Sequence, residues 1–221
     1  MEAITQQFFN LAIMARALPL VLTGLWTTLL ICAVVIPIGL AGGVLVAATS
    51  LSSRTALRRM VRLLIDIFRA LPPLVLLIMV YSDLPFVGIR LPPLAAVSIA
   101  FFLNNSAYYG EIFRAGIESV PQGQWEAARS TGLTATQTFV WVALPQGVRN
   151  VLPDLVSNTI EVVKLTSLAS VVSMPEMLYS ADMARSLTFN ASPIVLAAAI
   201  YLAILWPAVR LVSRLEHAVS R

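Results

Sequence analysis

The chain has 221 residues, of which 58% are hydrophobic and only 12% charged, and its mean hydropathy is +0.85. A soluble domain of this length needs more charge to cover its surface, so the composition excludes an ordinary soluble globule and indicates an integral membrane protein. The net charge of +4 and pI near 9.7 arise from arginines gathered at the ends of apolar runs, which reads as membrane topology rather than nucleic-acid binding.

The segment Met1 to Arg16 begins with Glu2 and lacks a basic start, unlike a cleaved signal peptide. Its Phe8, Phe9, Ile13 and Met14 suit a short interfacial helix. From Ala17 to Ser53 there is no charge, and since roughly 20 apolar residues cross a bilayer, a first span is predicted over about 20–48. Pro37, Gly39, Gly42 and Gly43 fall in its second half, where small residues allow close helix contact and a kink. Cys32 has no partner for a disulfide and reads as a small packing residue.

Arg54, Arg58, Arg59 and Arg62 form the densest basic cluster. The positive-inside rule places this loop in the cytoplasm and so the amino terminus outside. A second span follows over about 63–81, with Asp66 and Arg69 near its inner end, then an outside loop from Asp83 to Pro93. The third span, about 94–113, carries Asn104, Tyr108 and Glu111 on one helical face. Polar groups are costly in hydrocarbon, so that face is expected to look into the bundle or a wet cavity. Glu111 is expected to form a structural ion pair with Arg69, or else with Arg114.

The loop 114–150 is polar and cappable. Pro121 suits the first turn of a short helix and Gly132 its left-handed close, with Gln124, Glu126, Ala127 and Ala128 between them. Small residues and a single carboxylate are well shaped for a groove on another protein, or for lying on lipid headgroups. Thr136 to Val142 reads as a second short helix, and Pro145 and Pro153 bracket the return to the bilayer. The arginines of this loop put it on the same side as the first cluster. The fourth span, about 152–172, holds Glu161 and Lys164, three apart and able to pair on one face. Met174 to Asn190 reads as an outside segment with a short helix. The fifth span is about 194–212, anchored in the cytoplasm by Arg210, Arg214 and Arg221. The fold class is therefore all-α and integral to the membrane, with five spans in a single domain 1–221.

One stretch carries more than composition. Tyr108-Tyr-Gly-Glu-Ile-Phe-Arg-Ala-Gly-Ile-Glu-Ser-Val-Pro-Gln-Gly-Gln-Trp-Glu-Ala-Ala128, continued by Gly132 and Leu144-Pro145, resembles the loop signature of the membrane subunits of bacterial ABC importers. Its Ser-Val-Pro-Gln-Gly-Gln lead-in is similar to the polar amino acid branch, the permeases for histidine, glutamine and opines. The resemblance implies a type I importer permease fold. Its coupling helix would dock into the ATP-hydrolysing subunit through Pro121, Gln124, Glu126, Ala127, Ala128, Gly132, Leu144 and Pro145. Phe68 to Val75 resembles the family's Phe-Arg-Gly-Thr-Pro-Leu-Leu-Val, with Leu71 in place of Thr and Leu76 where Gln is frequent. Lys164 to Val172 resembles Lys-Asp-Thr-Ser-Leu-x-Ser-Val-Ile, with Leu165 in place of Asp.

The implied function is uptake of a polar amino acid or opine across the bacterial inner membrane by alternating access. The implied partners are an ATP-binding subunit dimer, a second permease subunit, identical or homologous, and a periplasmic substrate-binding protein. ATP and Mg would sit on the ATPase partner, with no cofactor on this chain. Leu71 and Leu76 suggest the less polar half of a heterodimer.

No hydrolytic machinery is visible. The one lysine, Lys164, lies in a predicted span, so no phosphate-binding loop exists. A lone His217 and a lone Cys32 make no credible zinc site or nucleophilic pair, so a transport subunit is expected rather than an enzyme. Asn104, Asn105, Tyr108, Glu161, Lys164, Thr166 and Ser167 are the polar candidates for a substrate pathway. Bonding between helices is the competing role for each, and for Glu161 and Lys164 a purely mutual pair is the alternative to contact with substrate. A permease for another small solute, or an ATP-independent scaffold or channel, is the alternative.

Overall fold

The computed structural model describes residues 2–219, with side chains as far as Glu216. The His217 side chain and Arg221 lie outside the described residues. Every regular element described is helical: α1 (Glu2–Phe8), α2 (Leu11–Ser50), α3 (Thr55–Ala70), α4 (Pro73–Ile78), α5 (Pro93–Glu118), α6 (Gln122–Ser130), α7 (Ala135–Thr138), α8 (Leu144–Leu165), α9 (Met177–Thr188) and α10 (Ser192–Val219). Wider π turns continue α4 over Met79–Asp83 and α7 over Phe139–Ala143, and a tighter 3-10 stretch continues α8 over Thr166–Val172.

Among the described residues, three helical stretches are long and apolar enough to cross a membrane: Glu2–Ser50, Ala135–Val172 and Ser192–Glu216. A fourth reaches that standard only when Thr55–Ala70 is joined to Pro73–Val87. The sequence reading put one continuous span over 63–81, but the helix breaks there. Leu71 is extended (φ −73°, ψ 126°) and Pro72 follows with ψ 132°. Proline disfavours the α conformation in the residue before it and offers no N–H of its own, so two consecutive prolines end α3 and start α4. By contrast, α2 continues as one helix through Pro37, 40 residues long. α5, read as the third span, has 26 residues, about 39 Å at 1.5 Å per residue. Asn104 and Asn105 lower its apolarity.

The chain divides into two compact units. The first comprises Met1–Ile36, Pro72–Phe101 and Ile160–Val209. Its core joins Ala17 and Val21 of α2, Met177, Ala181 and Ala184 of α9, and Ala197 of α10. The alanines let α9 approach α2 closely, and the Thr28 hydroxyl accepts the Met177 N–H at 3.1 Å. The short α1 is tied down through Asn190, whose amide donates to the Gln6 carbonyl at 2.9 Å.

The second unit comprises Pro37–Leu71, Phe102–Thr159 and Arg210–Arg221. Here Val61 and Ile65 of α3 pack on Ala107 of α5, with Val46, Leu57 and Phe68 around them. α2 meets α5 along the glycines singled out in the sequence. A side chain at Gly43 would place its Cβ 2.5 Å from Tyr109 Cβ, so the close approach depends on there being none.

Candidate functional site

α6 is a local construction. Pro121 (φ −55°, ψ 138°) is its N-cap, one position earlier than the first turn in which it was expected. Its carbonyl accepts the Gln124 N–H at 2.9 Å. At the other end Gly132 has φ +88° and its N–H donates to the Arg129 carbonyl at 3.1 Å. This left-handed close is available to glycine at little cost. Ala128 is buried and Trp125 half-buried, whereas Gln122, Gln124, Glu126, Ala127 and Arg129 are exposed. The helix therefore rests on one side and presents polar groups on the other.

What holds α6 in place was not evident in the sequence. The Asn150 amide of α8 donates to the Ser119 hydroxyl at 2.8 Å, closing the loop at its base. The Gln146 amide donates to the Val142 carbonyl at 2.8 Å and reaches the Gln124 amide oxygen at 3.5 Å. Gln146 and Asn150 are four apart and share a helical face, which is the signal that was available. α7 opens with a capping box in which Thr134 and Gln137 bond reciprocally. Leu144 and Pro145 begin α8 and are exposed. Pro145 comes just after the π turns of Phe139–Ala143 within the helical stretch Ala135–Val172, so its missing N–H falls where the hydrogen-bond ladder already changes register.

The expected Arg69–Glu111 pair is not formed. Glu111 pairs instead with Arg114, which also binds Glu118, all on α5 at spacings of three and four. One turn of helix brings these groups together without any tertiary contact. The Arg69 guanidinium lies 5.3 Å from the centre of the Tyr108 ring, a cation–π arrangement. Hydrogen bonding to Glu111, against the opposing effect of burial, raises Arg114 still further above its ordinary range. Arg62, Asp66, Glu111 and Arg114 line a small polar cleft of about 210 Å³.

The pathway candidates separate by role. Asn104 is buried and donates to the Phe68 carbonyl at 3.0 Å, and the Tyr108 hydroxyl donates to the Arg69 carbonyl at 3.3 Å. Both acceptors lie in the last turn of α3, where carbonyls lack intrahelical partners. Asn105 is buried. Thr166 is buried and returns its hydroxyl to the Val163 carbonyl at 2.7 Å. Glu161 and Lys164 pair at 2.5 Å with side chains 61% and 49% exposed. Lys164 and Ser167 line an open groove of about 500 Å³ with Ala198, Tyr201, Leu202 and Trp206. The structure thus brings Glu161, Lys164 and Ser167 to one surface of the first unit, and Asn104 and Tyr108 to the end of α3 in the second.

The model of binding-protein-dependent transport system inner membrane components matches residues 39–221. The probable amino-acid ABC transporter permease protein YckA of Bacillus subtilis is 36% identical over 90% of this chain and 88% of its own length. The probable glutamine ABC transporter permease protein GlnP of the same organism is 37% identical over 65% of this chain and 67% of its own. A solved amino acid ABC transporter, crystallised with histidines, superposes with a TM-score of 0.86 at 33% identity, covering 93% of this chain and 96% of that one.

The chain belongs to the family of binding-protein-dependent transport system inner membrane components. It is a multi-pass ABC permease of the inner membrane, with the type I fold, and a transport subunit, not an enzyme. Membership implies an ATP-binding subunit and a substrate-binding protein as partners.

Proposed function

We propose that this chain carries a polar amino acid or opine across the membrane by alternating access, with α6 as the coupling helix. The observation that carries the reading is the exposed face of α6. A helix capped by Pro121 and Gly132, resting on Ala128 and showing Gln124, Glu126 and Ala127, is built to fit another protein. Leu144 and Pro145 extend that surface. ATP and Mg bind the partner, a dimer of ATP-binding subunits. A second permease subunit, identical or homologous, completes the pore, and a periplasmic binding protein delivers the ligand. The single transmembrane domain has its amino terminus in the periplasm and its carboxyl terminus in the cytoplasm, as the arginine clusters favour.

The Glu161–Lys164 pair supports the choice of substrate. Exposed charges within a span cannot face acyl chains without large cost, so they face a wet pathway or the second subunit. An amino acid brings both signs and exchanges with the pair, its carboxylate to Lys164 and its ammonium to Glu161, while Ser167 offers a hydroxyl beside them. Thr166 supports this surface from a buried position, Asn105 is a further buried polar candidate within the second unit, and Asn104 and Tyr108 hold the end of α3. The reading is tested by Glu161→Gln and Lys164→Gln in the reconstituted importer. Each is expected to lower ligand-stimulated ATP hydrolysis and uptake by about tenfold or more, the cost of leaving one partner of a pair unmatched. Full stimulation in both variants would remove these residues from the pathway.

A further inference from the structure

At 3.6 residues per turn, α3 has three faces. Val61 and Ile65 are buried against α2 and α5, with Leu57 and Phe68 beside them. A second face carries Arg58, Arg59, Arg62 and Arg69, interrupted by Asp66. The third is apolar yet exposed: Met60 is 56% exposed, Leu63 60%, Leu64 44% and Ile67 43%. Water does not suit the third face and hydrocarbon does not suit the second, so neither medium alone can surround this helix.

We propose that α3 is a docking site for anionic phospholipid, lying at the headgroup boundary with its arginines on phosphates and its apolar face among acyl chains. An apolar face bordered along its length by cationic side chains is the pattern of an interfacial helix, and guanidinium matches phosphate better than ammonium does. The apolar face also continues into a groove of about 260 Å³ between α2, α3 and α5, lined by Leu45, Leu64, Phe68, Phe102 and Leu103, which holds a length of acyl chain. The nearby acids leave the row basic, because Glu111 and Glu118 are already paired with Arg114 and Asp66 is a single charge. Bonds from Asn104 and Tyr108 to its last carbonyls hold α3 in this position. A helix face with four arginines against one aspartate suits a fluid, extended anionic surface better than a folded partner.

The test uses the assembled importer in nanodiscs of phosphatidylcholine alone or mixed with phosphatidylglycerol. Native mass spectrometry is expected to find phosphatidylglycerol retained in preference to phosphatidylcholine. Arg58→Gln and Arg59→Gln are expected to weaken that preference by about fivefold each. Because these variants can fail to assemble, spin labels at Leu63→Cys and Arg62→Cys in a Cys32→Ala background give a second measure with Arg58 and Arg59 intact. The label at 63 is expected to be reached by oxygen and the label at 62 by an aqueous nickel chelate. Equal retention of the two lipids with unchanged variants would overturn the proposal. So would shielding of both labels from both reagents, which would mean that a protein partner covers α3.

Discussion

Gly43 and Glu176 show how much can rest on one position. A Cβ at Gly43 would stand 2.5 Å from Tyr109 Cβ and 3.0 Å from the Gly110 nitrogen, atoms of a packed helix that have little room to move. Gly43→Ala is therefore expected to cost about 1–3 kcal/mol, read as a lower thermal midpoint of the purified complex. Glu176 has no exposed surface and caps α9, its carboxylate accepting the Leu178 and Tyr179 N–H groups at 2.8 and 2.6 Å. Burial raises its pKa above the ordinary carboxylate value, against the pull of these bonds. The folded protein then holds the proton more tightly than the unfolded chain, so the stability this contributes is full below the unfolded value and lost as pH rises through the folded one. The thermal midpoint is expected to fall across mildly acidic pH by a component absent from Glu176→Gln. Glu176→Ala is expected to lose about 0.5–2 kcal/mol of capping. In the sequence Glu176 looked like an ordinary acid in an outside segment, because its burial comes from α2 and α10, far away along the chain.

At the scale of elements, α6 was legible and α3 was not. Both ends of α6 are set by neighbouring residues, Pro121 and Gly132, and local chemistry can be read from local sequence. The end of α3 is equally local, written in Leu71-Pro72-Pro73, but an apolarity average over 63–81 passes across it. In the sequence, Asn104 and Tyr108 stand between a pathway role and bonding between helices, and nothing in α5 alone decides between them. Once α3 stops at Ala70, the same side chains satisfy its free carbonyls. Asn104→Ala is accordingly expected to lower stability by about 1–3 kcal/mol while leaving the ligand concentration for half-maximal ATPase stimulation unchanged. A rise in that concentration without loss of stability would return Asn104 to the pathway. Of the two partners expected for Glu111, Arg114, three residues along α5, forms the pair without help from another helix, and the Tyr108 ring takes Arg69.

For the molecule as a whole, composition was enough to indicate a membrane protein, the length of the apolar runs to make it helical, and the stretch from Tyr108 to Pro145 to indicate the family. The clasp around α6 was only half legible: Gln146 and Asn150 share a helical face, but Ser119 and Asn150 meet only when the ends of α5 and α8 lie side by side. Distance along the chain accounts for part of this: the ends of α6 and the Glu161–Lys164 pair were visible and contacts between helices were not, yet the local break after α3 and the Glu176 cap of α9 were also missed. The central claim is that α6 passes the nucleotide cycle of a partner to the pore, and the most direct test is Glu126→Arg in the reconstituted importer. Binding-protein-stimulated ATP hydrolysis and uptake are expected to fall together by about tenfold or more, equivalent to losing ~1.4 kcal/mol of docking, with membrane insertion of the permease unchanged. Uptake at the unmodified rate in that variant would contradict the account.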